Sequence, residues 1–111
     1  MKAIARHHGK VTVLDLSGKI TIGEGDLRLR EAVNSLLDEG RKSILLNLQG
    51  VSYMDSAGIG ELVACFKRAR DKGVLLKLLN PSGKVQDLLV LTRLQEIFEI
   101  FRDEREALTS F

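Results

Sequence analysis

A chain of 111 residues can bury one hydrophobic core but not two, and its 44% hydrophobic content suffices for that core. The 17 basic and 15 acidic residues are spread along the chain and leave a formal net charge of +2, which gives no electrostatic reason to expect nucleic acid. A single cysteine excludes an internal disulfide, Met1-Lys2-Ala3-Ile4-Ala5-Arg6 lacks the apolar core of a signal peptide, and no apolar run approaches the roughly 18 residues of a membrane span, so one cytoplasmic domain over residues 1–111 is expected.

In chain order, Lys2 to Arg6 and Val11 to Leu16 read as two strands joined through His7-His8-Gly9-Lys10, with Gly9 supplying the turn. His7 and His8 are read as ordinary turn residues, because no other histidine and no recognisable ligand spacing accompany them, so no metal is expected. Gly18-Lys19-Ile20-Thr21-Ile22-Gly23-Glu24-Gly25 is a glycine-rich connection. It carries neither G-x-x-x-x-G-K-[ST] nor G-x-G-x-x-G in the right context, so it is read as a turn and not as a phosphate cradle. Asp26 is the expected N-cap of a helix whose Leu29, Ala32, Val33, Leu36 and Leu37 form an apolar stripe, ending at Gly40.

Ser43–Leu48 follows, and its run Ile44-Leu45-Leu46-Asn47-Leu48 shows no period-2 alternation, as in a strand covered on both faces. Val51 to Gly60 then reads as a polar, glycine-punctuated loop into a helix with Ile59, Leu62, Val63, Phe66 and Ala69 on one side. Asp55 and Ser56 fall at this strand-to-helix junction, where the first helical amides lack partners and the dipole is positive. Ser56 is therefore either an N-cap or the seat of a phosphate. No Glu or Gln follows it by three residues, so the reciprocal capping box is missing. Gly58 and Gly60 each cost about 1 kcal/mol in a helix relative to Ala, which suggests that something must approach the backbone there.

The second helix stops at Gly73. Cys65 borders its stripe and is read as a partly buried packing residue. Lys67, Arg68, Arg70 and Lys72 form the densest basic cluster, read as a solvated face that complements the helix C-terminus. Val74 to Leu79 is another buried strand, and Asn80-Pro81-Ser82 opens a third helix bearing Val85, Leu88, Leu89 and Thr92. An edge strand is expected at Phe98–Phe101. Asp103 with Glu106 resembles a capping box for a last helix, Glu104–Ser110. Strands alternating with helices predict a mixed α/β fold, a mainly parallel sheet with right-handed crossovers and about four helices.

At Met54-Asp55-Ser56-Ala57-Gly58-Ile59-Gly60 the chain resembles the D-S-x-G-[IL]-G phosphorylation motif of STAS domains, the family named for sulphate transporters and anti-sigma-factor antagonists. Gly18-Lys19-Ile20, Leu78-Leu79-Asn80, Leu91-Thr92-Arg93-Leu94 and Ile97 to Phe101 fit the same pattern. The resemblance covers nearly the whole chain, as in free-standing bacterial antagonists. It implies that a partner kinase phosphorylates Ser56, and that Thr21, Gly23 and Glu24 join Asp55, Ser56, Ala57, Gly58 and Gly60 in a partner-binding surface. The implied partners are an anti-sigma factor that is also a serine kinase and a phosphatase. No cofactor, nucleic acid or membrane is implied.

Two other classes fit less well. The hydrolase elbow G-x-S-x-G would need glycine where Met54 stands. A phospho-aspartate receiver would use Asp55, yet needs an acidic pair after its first strand, where this chain has His7-His8-Gly9-Lys10. Within the STAS fold itself, the alternative is an unphosphorylated module that scaffolds a lipid-transport or sensory complex.

Overall fold

Apolar runs become strands and stripes of i, i+3, i+4 spacing become helices throughout the computed structural model, which describes Met1–Phe111. The elements are β1 (Lys2–His8), β2 (Val11–Ile20), α1 (Gly25–Asp38), β3 (Ser43–Met54), α2 (Ser56–Asp71), β4 (Leu75–Leu79), α3 (Gly83–Leu91), a 3-10 turn at Leu94–Glu96, β5 (Ile100–Phe101) and α4 (Glu104–Thr109). The sheet order is β1-β2-β3-β4-β5. Only the β1–β2 pair is antiparallel, so the sheet is mixed and mainly parallel, with four helices, as the sequence predicts.

Alternation along the strands divides the core in two. Leu14, Leu16, Leu46 and Leu48 face α1, α2 and α3, where Leu29, Val33, Leu62 and Leu89 are fully buried. Val11, Val13, Leu45 and Leu79 face the other way, under Ala107 of α4. The continuous apolar run of β3 is thus explained, since both of its faces are covered.

Several boundaries move. The hairpin is tighter than expected: His8 pairs with Val11, so only Gly9 and Lys10 form the turn and both histidines belong to β1. Gly9, at φ +58°, supplies the positive dihedral such a turn needs. β2 and β3 extend to Ile20 and Met54 because register shifts at Asp15/Ser17 and Gly18/Lys19 absorb the extra residues and keep the ladder running. Val51–Met54 and Gly18–Ile20 are therefore strand and not loop.

Asp26 is not the N-cap of α1. The helix starts two residues earlier than that, at Gly25, with Glu24 in the capping position and no side-chain bond; Asp26 accepts from the adjacent Leu27 amide at 2.8 Å. The early start is possible because Gly25 lacks a Cβ, which would collide with the Lys19 carbonyl. The expected edge strand shrinks to two residues because Phe98 turns inward against Phe66, with ring centroids 4.9 Å apart edge to face. Cys65 is fully buried rather than partly so, and burial pushes its thiol up to about 12. Arg68 is not part of a solvated face: it reaches Glu61 at 2.7 Å and Asn34 at 2.9 Å.

Candidate functional site

The junction between β3 and α2 is built around the Asp55 carboxylate. Asp55, in extended backbone, is the N-cap of α2, and its Oδ1 accepts from the Gly58 amide at 2.9 Å. Its Oδ2 accepts from the Ile22 amide at 3.0 Å. The same carboxylate thus starts the helix and ties the Thr21–Glu24 loop to it. These amide bonds from Ile22 and Gly58 hold its carboxyl below the usual range, so it is ionised at neutral pH.

Ser56 is not the cap but the first residue of α2, and it is exposed. Its hydroxyl stands beside an ionised carboxylate at the positive end of a helix dipole. Ala57 is half-buried and Gly60 exposed. Around Gly60 a Cβ would meet nothing within 4 Å. The loop contributes exposed Gly23 and Glu24, while half-buried Thr21 uses its carbonyl to accept from the Asp26 amide at 3.1 Å. Seven of the eight residues the sequence singles out are thus exposed or half-buried, in the two segments that leave the C-terminal ends of β2 and β3 and that Asp55 ties together, at the end of a parallel sheet where ligands of open α/β folds gather.

Gly58 is the exception. It is buried, and an added Cβ would collide with the Ile20 carbonyl and stand 2.7 Å from Met54 Cγ. Its missing side chain lets α2 start directly over the end of β2, so it shapes the site from beneath and leaves no clearance for a partner.

The structure adds residues that sequence reasoning passes over. Ile22 is 74% exposed at the tip of the loop. An apolar residue inside a glycine-rich turn and outside any stripe was the available signal. Tyr53, Ile59, Leu88 and Thr92 line a shallow groove of about 460 Å³ beside Ser56. Lys84 of α3 places its ammonium 5.9 Å from the Tyr53 ring centroid, in an adjoining groove that Tyr53 shares with Leu88 and Leu91. Helical spacing marks Ile59, Leu88 and Thr92 only as stripe residues; that they line one groove with Tyr53 depends on β3, α2 and α3 coming together, for which local spacing carries no signal.

A family profile described as "STAS domain" matches residues 2–107. The anti-sigma-B factor antagonist of Bacillus subtilis is 34% identical over 87 residues, which is 78% of each chain. A crystallised anti-sigma factor antagonist candidate from Thermotoga maritima superposes with a TM-score of 0.88 at 26% identity, over 97% of this chain and 92% of that one. The phosphorylated form of the Bacillus cell-fate determinant SpoIIAA has a TM-score of 0.75 at 20% identity, over 98% of both chains, a likeness of fold alone.

Proposed function

The chain belongs to the STAS domain family, and on that premise we propose that it is an anti-sigma factor antagonist switched by phosphorylation of Ser56. It is a regulatory binding protein and not an enzyme. The observation that carries the reading is the Asp55 bridge, which presents exposed Ser56 and the Thr21–Glu24 loop as one surface.

In the unmodified state this surface docks on an anti-sigma factor, which then releases its sigma factor. The partner is also the kinase: the Ser56 oxygen takes the γ-phosphoryl group of bound ATP, the hydroxyl proton passes to a base of the kinase, and ADP leaves. The new group brings about −1.5 to −2 charges beside ionised Asp55. In the free protein the first amides and dipole of α2 tolerate that charge. In a close interface it must be desolvated next to a like charge, so the complex dissociates. A phosphatase restores the binding form. Nothing in this cycle calls for nucleic acid or a membrane, and it runs in the cytoplasm; no helix of the protein is long and apolar enough to cross a bilayer.

Incubation with the cognate anti-sigma kinase and ATP, followed by mass-spectrometric mapping, should place one phosphate on Ser56. Ser56→Ala should bind the partner whether or not ATP is present, and Ser56→Asp should bind weakly. Phosphate on Ser52 or Thr21, no phosphate, or equal binding by both variants would refute the switch, and the last two outcomes would favour a scaffold.

A further inference from the structure

The order β1-β2-β3-β4-β5 leaves β1 as an outer strand with a neighbour on one side only. His8 and Val11 flank the two-residue turn and so form a hydrogen-bonded pair, and every second pair along the hairpin does the same: Arg6 with Val13, Ile4 with Asp15, Lys2 with Ser17. The amides and carbonyls of the residues between them, Ala3, Ala5 and His7, point away from β2. No backbone bond outside the ladders uses any of these groups. Ala5 and His7 are exposed and Ala3 is half-buried, and a lone methyl group at Ala5 leaves its main chain open to solvent.

The side chains of β1 divide between two faces. Ala3 packs toward the helices, and Ala5 and His7 share its face, with His7 Nδ1 3.0 Å from Thr12 Oγ1. Lys2, Ile4, Arg6 and His8 stand on the face of α4, where Ile4 is 55% exposed. Arg6 donates to Asp15 at 3.0 Å and to Glu104 at 2.7 Å, and its guanidinium lies 3.2 Å from His8 Nε2. One guanidinium between two carboxylates leaves an excess negative charge beside His8. The bonds from Arg6 hold both carboxyls below their ordinary values, so that charge persists at neutral pH. At the other end of β1, Lys2 is exposed and joins no ion pair.

We propose that β1 joins a second copy of this chain, edge to edge and antiparallel, about a two-fold axis through Ala5. In that register Ala5 faces Ala5 of the other copy and Ala3 faces its His7, so all three outward residues are matched by about six main-chain hydrogen bonds. A slip of two residues would put His7 opposite Met1 or Ala3 opposite Gly9, both outside β1. On the α4 face Lys2 falls opposite His8 of the other copy, where the excess charge of Asp15 and Glu104 meets its ammonium, and Ile4 falls against the Arg6 stem. On the helix face the alanines bring no bulk between the strands. A segment of another protein would have to reproduce this self-complementary pattern, whereas the chain itself carries it. Antiparallel pairing sets the two Ser56 surfaces at opposite ends of the joined sheet, so it does not depend on the switch.

The test is sedimentation of the full chain over a concentration series, with amide hydrogen exchange followed by NMR. A dimer that dissociates on dilution is expected, with exchange at Ala3, Ala5 and His7 slowed as the dimer fills, while the amides of Ile4 and Arg6, already in the ladder, change far less. Ala5→Pro removes an outward N–H, which an edge strand tolerates, so the domain should fold as before and the dimer should weaken by about tenfold or more. Lys2→Glu, at an exposed position, should also weaken it by about tenfold. Ser56→Asp should leave it unchanged, so that a failure here is distinct from a failure of the switch. The proposal is overturned by a chain that stays monomeric at NMR concentrations, by a dimer in which Ala5 exchanges as fast as in the monomer, or by one that Ala5→Pro or Lys2→Glu leaves at its full affinity.

Discussion

Gly58 and Gly60 stand two positions apart in the first turns of α2 and meet different surroundings. For Gly58 the obstacle is the Ile20 carbonyl, a backbone atom that cannot rotate aside. Gly58→Ala should therefore cost about 1–3 kcal/mol or more, as overpacking against rigid neighbours does, seen as a lower denaturant midpoint. Gly60 has open space and ordinary helical backbone, so Gly60→Ala should gain about 1 kcal/mol. On the proposed surface its methyl group would obstruct a partner, so affinity should fall while the midpoint rises. A Gly60→Ala domain that binds as well as the parent would remove Gly60 from the interface.

Among the elements, α1 and α2 are held together by Glu61, whose side chain is only 3% exposed. Arg30 reaches one carboxylate oxygen at 2.9 Å and Arg68 the other at 2.7 Å. Burial pushes the Glu61 carboxyl up, but the hydrogen bonds from Arg68 and Arg30 outweigh it and hold the group below its ordinary value. Glu61→Gln keeps the shape and removes the charge, leaving both guanidinium groups partly matched. A loss of about 1–3 kcal/mol is expected, because the arginines retain access to water. Arg70→Ala, at an exposed position on the same helix, should change stability by less than about 0.5 kcal/mol. Urea unfolding of the two variants side by side separates a clasp from generic loss of charge; equal effects would argue against the clasp.

For the whole molecule, four carboxyl groups have lowered values in the folded state. Asp15 and Glu104 are hydrogen-bonded by the Arg6 guanidinium, Asp55 by the amides of Ile22 and Gly58, and Glu61 by Arg68 and Arg30. A folded value below the unfolded one means that the contribution is complete above the unfolded value and is lost as pH falls through the folded one. The ordinary values are 3.8 for Asp and 4.5 for Glu. Urea midpoints should therefore hold nearly level from about pH 7 to pH 5 and fall progressively below about pH 4.5. Glu61→Gln should make that fall shallower. A midpoint that rises on acidification would contradict the assignment. Two of the four clasp a helix to another strand or helix, Glu104 of α4 to Arg6 of β1 and Glu61 of α2 to Arg30 of α1, so acid should loosen the packing of helices before it melts them.

What the sequence determined by itself was written in local chemistry. The unalternating run at Ile44–Leu48, the stripes at Leu29–Leu37 and Ile59–Ala69, and the Asp55-Ser56 junction follow from burial periodicity and from the needs of a helix start. Those gave the order of elements, the mainly parallel sheet, the family resemblance and the place of Ser56. Tertiary structure decided what depends on contacts between segments far apart in the chain. The helix of Gly25 begins before Asp26 because β2 ends against it, and Gly58 is bare because Ile20, 38 positions earlier, crosses beneath it. Arg68 turns from solvent to Glu61 because α1 brings Arg30 and Asn34 alongside. β4 is left half open because Phe98 is drawn into the core and delays β5. Each of these is set by steric fit and charge matching across the fold, for which local spacing carries no signal.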